Sequence, residues 1–193
     1  MKLDHFGILA PLYERLIPPI FPDILISRMN IPANGVVLDA GGGTGRIAQF
    51  LCGVAAQVFV ADQSFQMLQE ANKKVGLHPI CSLTEGLPFN DSSFNQIIMV
   101  DALHHVSDQF KTAEELWRIL APGGRIIIEE PNISSFRIKL VAIGEKLALM
   151  RSHFLAPKQI ADLFHFPNAN VQIMTEGAIA WISADKIEDK GAV

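Results

Sequence analysis

The chain has 193 residues, 49% of them hydrophobic and 19% charged, with 14 Gly and 11 Pro scattered without period. This composition excludes a disordered or collagen-like chain and supports one large core without staples, while the 2 Cys exclude a disulfide framework. A formal net charge of −4 offers polyanions no general attraction, so nucleic acid is not an expected partner.

A mean hydropathy of +0.26 raises the question of a membrane span, but no run reaches the roughly 18 apolar residues that a spanning helix needs. The stretch from Phe6 to Ile26 is cut by Pro11, Glu14, Arg15, Pro18, Pro19, Pro22 and Asp23, and the one from Ile138 to Met150 by Lys139, Glu145 and Lys146. The start, Met1-Lys2-Leu3-Asp4-His5, lacks the basic and apolar regions of an export signal. A cytoplasmic location is the expectation.

The first 30 residues read as an N-terminal helical cap. From Val36 the chain alternates short apolar runs with helical stretches: Val36 to Leu38, then Arg46 to Cys52; Val58 to Val60, then Ser64 to Lys74; Ile97 to Val100, then Thr112 to Leu120; and Arg125 to Ile128. That alternation predicts βαβ units, hence an α/β fold with a mostly parallel, doubly wound sheet. Ala121-Pro122-Gly123-Gly124 reads as a turn from helix to strand. Residues 132–168 read as a helical elaboration of the same domain, with one helix from Phe136 to Met150 and another from Pro157 to Phe166. Strands near Val171 to Met174 and Ala178 to Ser183 follow, then a frayed tail from Ile187. With no repeat and no linker, residues 1–193 read as a single domain.

The strongest chemical signal is Val37-Leu38-Asp39-Ala40-Gly41-Gly42-Gly43-Thr44-Gly45-Arg46, a glycine loop between a predicted strand and helix. A phosphate-cradling P-loop ends in Gly-Lys-Ser/Thr, and this one ends in Gly45-Arg46-Ile47. A dinucleotide fingerprint needs a third glycine where Arg46 stands, so an NAD(P) oxidoreductase is disfavoured. The spacing that fits is Asp-x-Gly-x-Gly-x-Gly at Asp39, Gly41, Gly43 and Gly45, with Asp62 ending the second strand, where a carboxylate can take two ribose hydroxyls. His104 and His105 are consecutive, so one is expected to pack and the other to face a cleft. Glu129-Glu130 ends the fifth strand, where open sheets place ligands, and reads mainly as a solvated rim pair. Cys52 and Cys81 read as core residues, and no Cys and His set has metal-site spacing.

With Glu85-Gly86-Leu87-Pro88-Phe89, Ser93-Phe94-Asn95, Ala102-Leu103-His104-His105-Val106 and Leu120-Ala121-Pro122-Gly123-Gly124 following in order, the chain resembles the class I S-adenosylmethionine-dependent methyltransferases from about Phe6 to Ile128. Within that class it is similar to the small-molecule group that includes the quinone-biosynthesis C-methyltransferases. The resemblance implies a Rossmann-like, seven-stranded sheet with an antiparallel C-terminal hairpin, and S-adenosylmethionine as cofactor with S-adenosylhomocysteine as product. It assigns Asp39 and the backbone of Gly41, Gly42, Gly43 and Gly45 to the methionine end, Asp62 to the ribose, and Gln63 and Met67 to the adenine. Thr84 and Glu85 would add contacts, Asp101 and Ala102 would line the sulfonium region, and Tyr13 would close over the cofactor. Relatives often place an Asp where Leu83 stands, a departure at the adenine.

The implied reaction is methyl transfer by in-line displacement to a small-molecule acceptor, with His104 as candidate base and Glu130, Phe136, His153 and Phe154 as acceptor-side residues. The alternative is a non-catalytic S-adenosylmethionine-binding regulatory or partner protein. Excess apolarity in the stretches Phe6 to Ile26 and Phe136 to Phe166 leaves open a greasy acceptor, a homodimer contact or docking on a membrane surface.

Overall fold

The computed structural model describes residues 22–133 and 152–188. The expected cap before Pro22, including Tyr13, the helix from Phe136 to Met150 and the tail beyond Glu188 lie outside the described residues. The elements are α1 (Pro22–Arg28), β1 (Val36–Ala40), β2 (Gln57–Asp62), α2 (Phe65–Ala71), β3 (Leu77–Cys81), β4 (Phe94–Val100), α3 (Gln109–Ile119), β5 (Leu120–Pro131), α4 (Pro157–Asp162), β6 (Ala169–Glu176) and β7 (Ile179–Lys186). The strands form one sheet in the order β3-β2-β1-β4-β5-β7-β6. Pairing is parallel from β3 to β5, and β7 runs antiparallel to both β5 and β6. The Rossmann-like sheet with an antiparallel C-terminal hairpin is therefore the observed architecture. Among the described residues no helix is long and apolar enough to cross a membrane.

Both faces of the central strands are buried, and their period-2 alternation divides the side chains between two cores. Leu38, Ile97, Met99, Ile126, Ile128 and Ile182 pack with α3 and with Ile160 of α4. Val37, Ile98, Ile127 and Trp181, which lie between them in sequence, pack on the other face with Leu25 of α1 and Leu68 of α2. This arrangement is why the strands read as continuous apolar runs. β3 forms one edge, and Pro79 is tolerated in it because its free side needs no ladder N–H.

Several boundaries differ from the sequence reading, and α4, expected to reach Phe166, ends at Asp162. The stretch expected as a helix from Arg46 forms only a 3-10 turn at Ala48–Leu51. Gly45, with φ +70, and Gly53, with φ +105, bracket it too closely for a regular helix to propagate. α3 begins earlier than expected, at Gln109, because the Asp108 side chain accepts from Lys111 N and caps it. The Ala121 to Gly124 turn is absorbed into the irregular start of β5, where the register against β4 shifts. Gly124 is needed there, since a Cβ would meet the carbonyls of Ala121 and Asn95 at 2.8 Å.

Candidate functional site

β1 lies between β2 and β4, so the chain leaves β1 toward one side of the sheet and returns through β4 on the other. Loops that diverge at such a point open a crevice outside the carboxyl ends of the strands. The cleft found there encloses about 990 Å³, open mouth included, and is lined by the loops after β1, β2, β3 and β4.

The β1 loop can pass so close to its neighbours because it carries no side chains at the tight points. Gly41, Gly43 and Gly45 have φ of 72, 54 and 70, a region costly for residues with a Cβ. A Cβ on Gly42 would meet the Asp39 carboxyl carbon at 2.5 Å. The loop is held from both sides: Gly41 N donates to Ala61 O at 2.7 Å, and Lys74 Nζ to Thr44 O at 2.7 Å. Asp62 ties it to the second strand. Its Oδ2 accepts from Gly43 N at 2.9 Å and its Oδ1 from Ser64 N at 2.8 Å.

Asp39 is 1% exposed, and its Oδ2 has no hydrogen-bond partner among the described residues. Burial pushes its carboxyl up to about 7, with the charge of Asp62 adding to the rise and the Ala48 N–H, Arg46 and Lys74 opposing it. Asp39 therefore binds its proton more tightly when folded than when unfolded. Its contribution to stability is full below its ordinary value of 3.8 and is lost as pH rises through about 7. The ligand-free protein is expected to melt at a lower temperature at pH 8 than at pH 5, and Asp39→Asn to flatten that slope; a pH series of calorimetric scans on both proteins measures the difference.

The other wall is the β4 loop. Asp101 has a φ of 53, outside the usual range for a residue with a side chain, and its N–H donates to Glu129 O at 2.9 Å. The turn that follows is pinned by Glu130, whose Oε1 accepts from Ala102 N and Leu103 N at 3.0 and 2.7 Å and whose Oε2 lies 2.6 Å from His104 Nδ1. His104 is 2% exposed, and Phe154 stacks on it with centroids 4.3 Å apart. The cleft lining instead includes His105, whose ring burial and the adjacent His104 push down to about 3.

Asp39, Gly41, Gly42, Gly43, Asp62, Gln63, Met67, Thr84, Glu85, Asp101 and Ala102 converge on the cleft. Gly45 sits behind it, against Leu77. Thr84 and Glu85 are turned inward, Thr84 Oγ1 to Thr112 Oγ1 at 3.1 Å and Glu85 Oε1 to the N–H groups of Ser107 and Asp108. Glu130, expected on the acceptor side, is buried in the brace just described. The Glu129-Glu130 pair is not a solvated rim, since the two residues are 5% and 3% exposed with β7 laid beside β5. His153 is exposed and Phe154 half-buried, both held at the His104 turn. Phe136 and Tyr13 lie outside the described residues. His105 is the one of the two consecutive histidines that faces the cleft, while Arg46 and Ser107 line it without having been singled out; only the position of Arg46 at the loop's end hinted at its place.

The sequence profile described as "Methyltransferase domain" matches residues 38–128. Among curated relatives, the "Ubiquinone/menaquinone biosynthesis C-methyltransferase UbiE" of Pseudoalteromonas translucida is 35% identical over 121 residues, covering 55% of this chain and 48% of the relative. The protein of that name from Marinomonas sp. is 33% identical over 115 residues, covering 54% and 46%. The chain thus spans about half the length of the curated relatives it matches. A crystal structure of a SAM-dependent methyltransferase from Thermotoga maritima superposes with a TM-score of 0.78 at 23% identity, covering 94% of this chain and 98% of that one. That likeness shows a shared fold.

The residues present suit S-adenosylmethionine, which carries an ammonium, a sulfonium and a ribose with adjacent hydroxyls. Carboxylates outnumber cations in the lining, with Asp39, Asp62, Glu85 and Asp101 against Arg46. The buried, unpartnered Asp39 oxygen calls for a donor. Gly43 leaves room for a ligand, since a Cβ there would meet only Asp62 Oδ2 and Met67 Cε, at 3.8 Å. Matched domain and fold agree with the chemistry of the cleft: residues 38–128 match a methyltransferase domain, set in a fold shared with a SAM-dependent methyltransferase.

Proposed function

We propose that the protein transfers a methyl group from S-adenosylmethionine to a small, hydrophobic acceptor. The observation that carries the reading is the buried Asp39 Oδ2, unpartnered among the described residues, beside the Gly43 and Asp62 cradle at the point where the strand order reverses. When bound, the cofactor supplies a methyl group on a sulfonium, which is already an activated leaving group. The protein's share is then alignment and exclusion of water. Asp39 and the loop from Gly41 to Gly43 hold the amino-acid end, and Asp62 holds the ribose. Val100, Ala102 and Val106 give the β4 wall an apolar surface against which a hydrophobic acceptor can rest. His105 is neutral near pH 7, since its ring is pushed down to about 3. A group so weakly basic orients an acceptor by hydrogen bonding and does not take its proton.

Support for an aromatic, quinone-like acceptor comes from the names of the relatives matched at 33–35% identity. The test is incubation of the protein with methyl-labelled cofactor and a panel of hydroquinones, phenols and amines. Transfer to a phenol or hydroquinone is expected. Cofactor binding with no transfer to any of them would favour the alternative, a cofactor-binding partner protein.

A further inference from the structure

Beyond Asp62 the cleft continues over the loops after β2 and β3, which run side by side: Asp62 pairs with Cys81, and Ser82 N donates to Asp62 O at 3.0 Å. With the amino-acid end of the cofactor at Asp39 and its ribose at Asp62, as proposed, this end is left for the base. Its apolar lining is Met67 and Leu83. A Cβ built on Gly43 would lie 3.8 Å from both Met67 Cε and Asp62 Oδ2, so the thioether flanks the ribose carboxylate. Leu83 is 55% exposed, a large apolar side chain uncovered at the cleft, and a ring laid on it would take that surface out of water.

The polar side chains at this end are mostly engaged by the protein itself. Ser64 Oγ accepts from Met67 N at 3.4 Å, Ser82 Oγ donates to Gly86 O at 3.0 Å, and Thr84 Oγ1 lies 3.1 Å from Thr112 Oγ1. Glu85 Oε1 accepts from Ser107 N and Asp108 N at 3.0 and 3.2 Å, and its Oε2 accepts from Thr84 Oγ1 at 3.4 Å. Among the described residues lining this end, that leaves the Gln63 carboxamide and the Ser107 hydroxyl. Each of these groups both donates and accepts. A 6-aminopurine presents a donor at its 6-position and an acceptor at N1, and a 6-oxopurine presents the same pair reversed. A carboxamide turned through 180° matches either one, and Gln63 is exposed and therefore free to turn.

Resting on the methyltransferase reading above, we propose that the base of the cofactor lies against Met67 and Leu83 with its edge on the Gln63 carboxamide, so that the cleft binds a 6-oxopurine cofactor as well as a 6-aminopurine one. Discrimination between the two bases needs a group that only donates or only accepts, because such a group is left facing its like when the wrong base enters. The carboxylate nearest to this end, Glu85, is held by Ser107 and Asp108. Leu83, on the loop between Ser82 and Glu85, offers contact without polarity.

S-Adenosylhomocysteine and its 6-oxo analogue, S-inosylhomocysteine, are titrated by calorimetry into the protein. Their affinities are expected to agree within about threefold, less than one hydrogen bond supplies. Gln63→Glu keeps the size of the side chain and replaces the two-sided amide with a group that only accepts. It is expected to favour S-adenosylhomocysteine by at least about tenfold, since the 6-oxo group then meets lone pairs. The readout is the ratio, because a charge added beside Asp62 weakens both ligands. A wild-type ratio above about threefold overturns the proposal, since a fixed group then reads the base, and so does a ratio that Gln63→Glu leaves unchanged. If the wild-type protein binds S-adenosylhomocysteine and not the analogue, this inference falls and the methyltransferase reading stands; if it binds neither, that reading falls first.

Discussion

Asp62→Ala is expected to weaken S-adenosylhomocysteine binding about 100-fold, measured by calorimetric titration, while shifting the melting temperature by only a few degrees. The Asp62 carboxylate holds Gly43 N and Ser64 N, one on each oxygen, and it lines the cleft, where a carboxylate can take two ribose hydroxyls. Hydrogen bonds to a charged group contribute roughly 1.5–3 kcal/mol each, so losing two is worth about two decades in affinity. Asp62→Asn is expected to fare little better. Whichever way the amide is turned, its NH2 faces either the Gly43 N–H or the Ser64 N–H, so one donor is set against another. Unchanged affinity in both variants would remove Asp62 from the binding site.

Much of this site was legible in the sequence, for reasons that particular residues show. β1, β2 and β4 are buried on both faces, so they appear as unbroken apolar runs such as Ile97-Ile98-Met99-Val100. The glycine spacing was legible because a backbone at positive φ leaves a mark in residue type. What stayed hidden depends on contacts distant along the chain. Which of His104 and His105 faces the cleft is decided by Glu130, 26 residues away from His104, which captures its Nδ1. Glu129 and Glu130 read as a rim pair because nothing near them announces that β7, some 50 residues on, will pair with β5 and cover both. Arg46 was read as the start of a helix, whereas Gly45 and Gly53 confine the segment to a 3-10 turn. Local pattern specified the frame and the cradle, and long-range pairing specified the polarity of the acceptor side.

The glycines of the β1 loop are expected to divide into two kinds, and substitution by valine separates them. Gly45→Val should lower stability by about 3–5 kcal/mol, the sum of forcing a β-branched residue into the left-handed region and overpacking a filled core. The crowding is specific: a Cβ at Gly45 would meet Leu77 Cδ1 at 2.5 Å and Ala71 Cβ at 3.4 Å, both on buried residues of the α2 side. Against a total stability of about 5–15 kcal/mol for a typical domain, a loss of that size should lower the melting temperature by about 10 °C. Gly43→Val meets nothing closer than Asp62 Oδ2 and Met67 Cε at 3.8 Å. Its side chain therefore grows into the cleft, so its stability cost is mainly the backbone strain of a φ of 54. Gly43→Val should keep most of its melting temperature and lose affinity for S-adenosylhomocysteine by at least about tenfold, because added atoms occupy space the ligand needs. Calorimetric scans and titrations on the two variants read both quantities. Equal losses of stability and affinity in the two would mean that the loop responds as one unit, and that the open space beside Gly43 is not where the ligand lies.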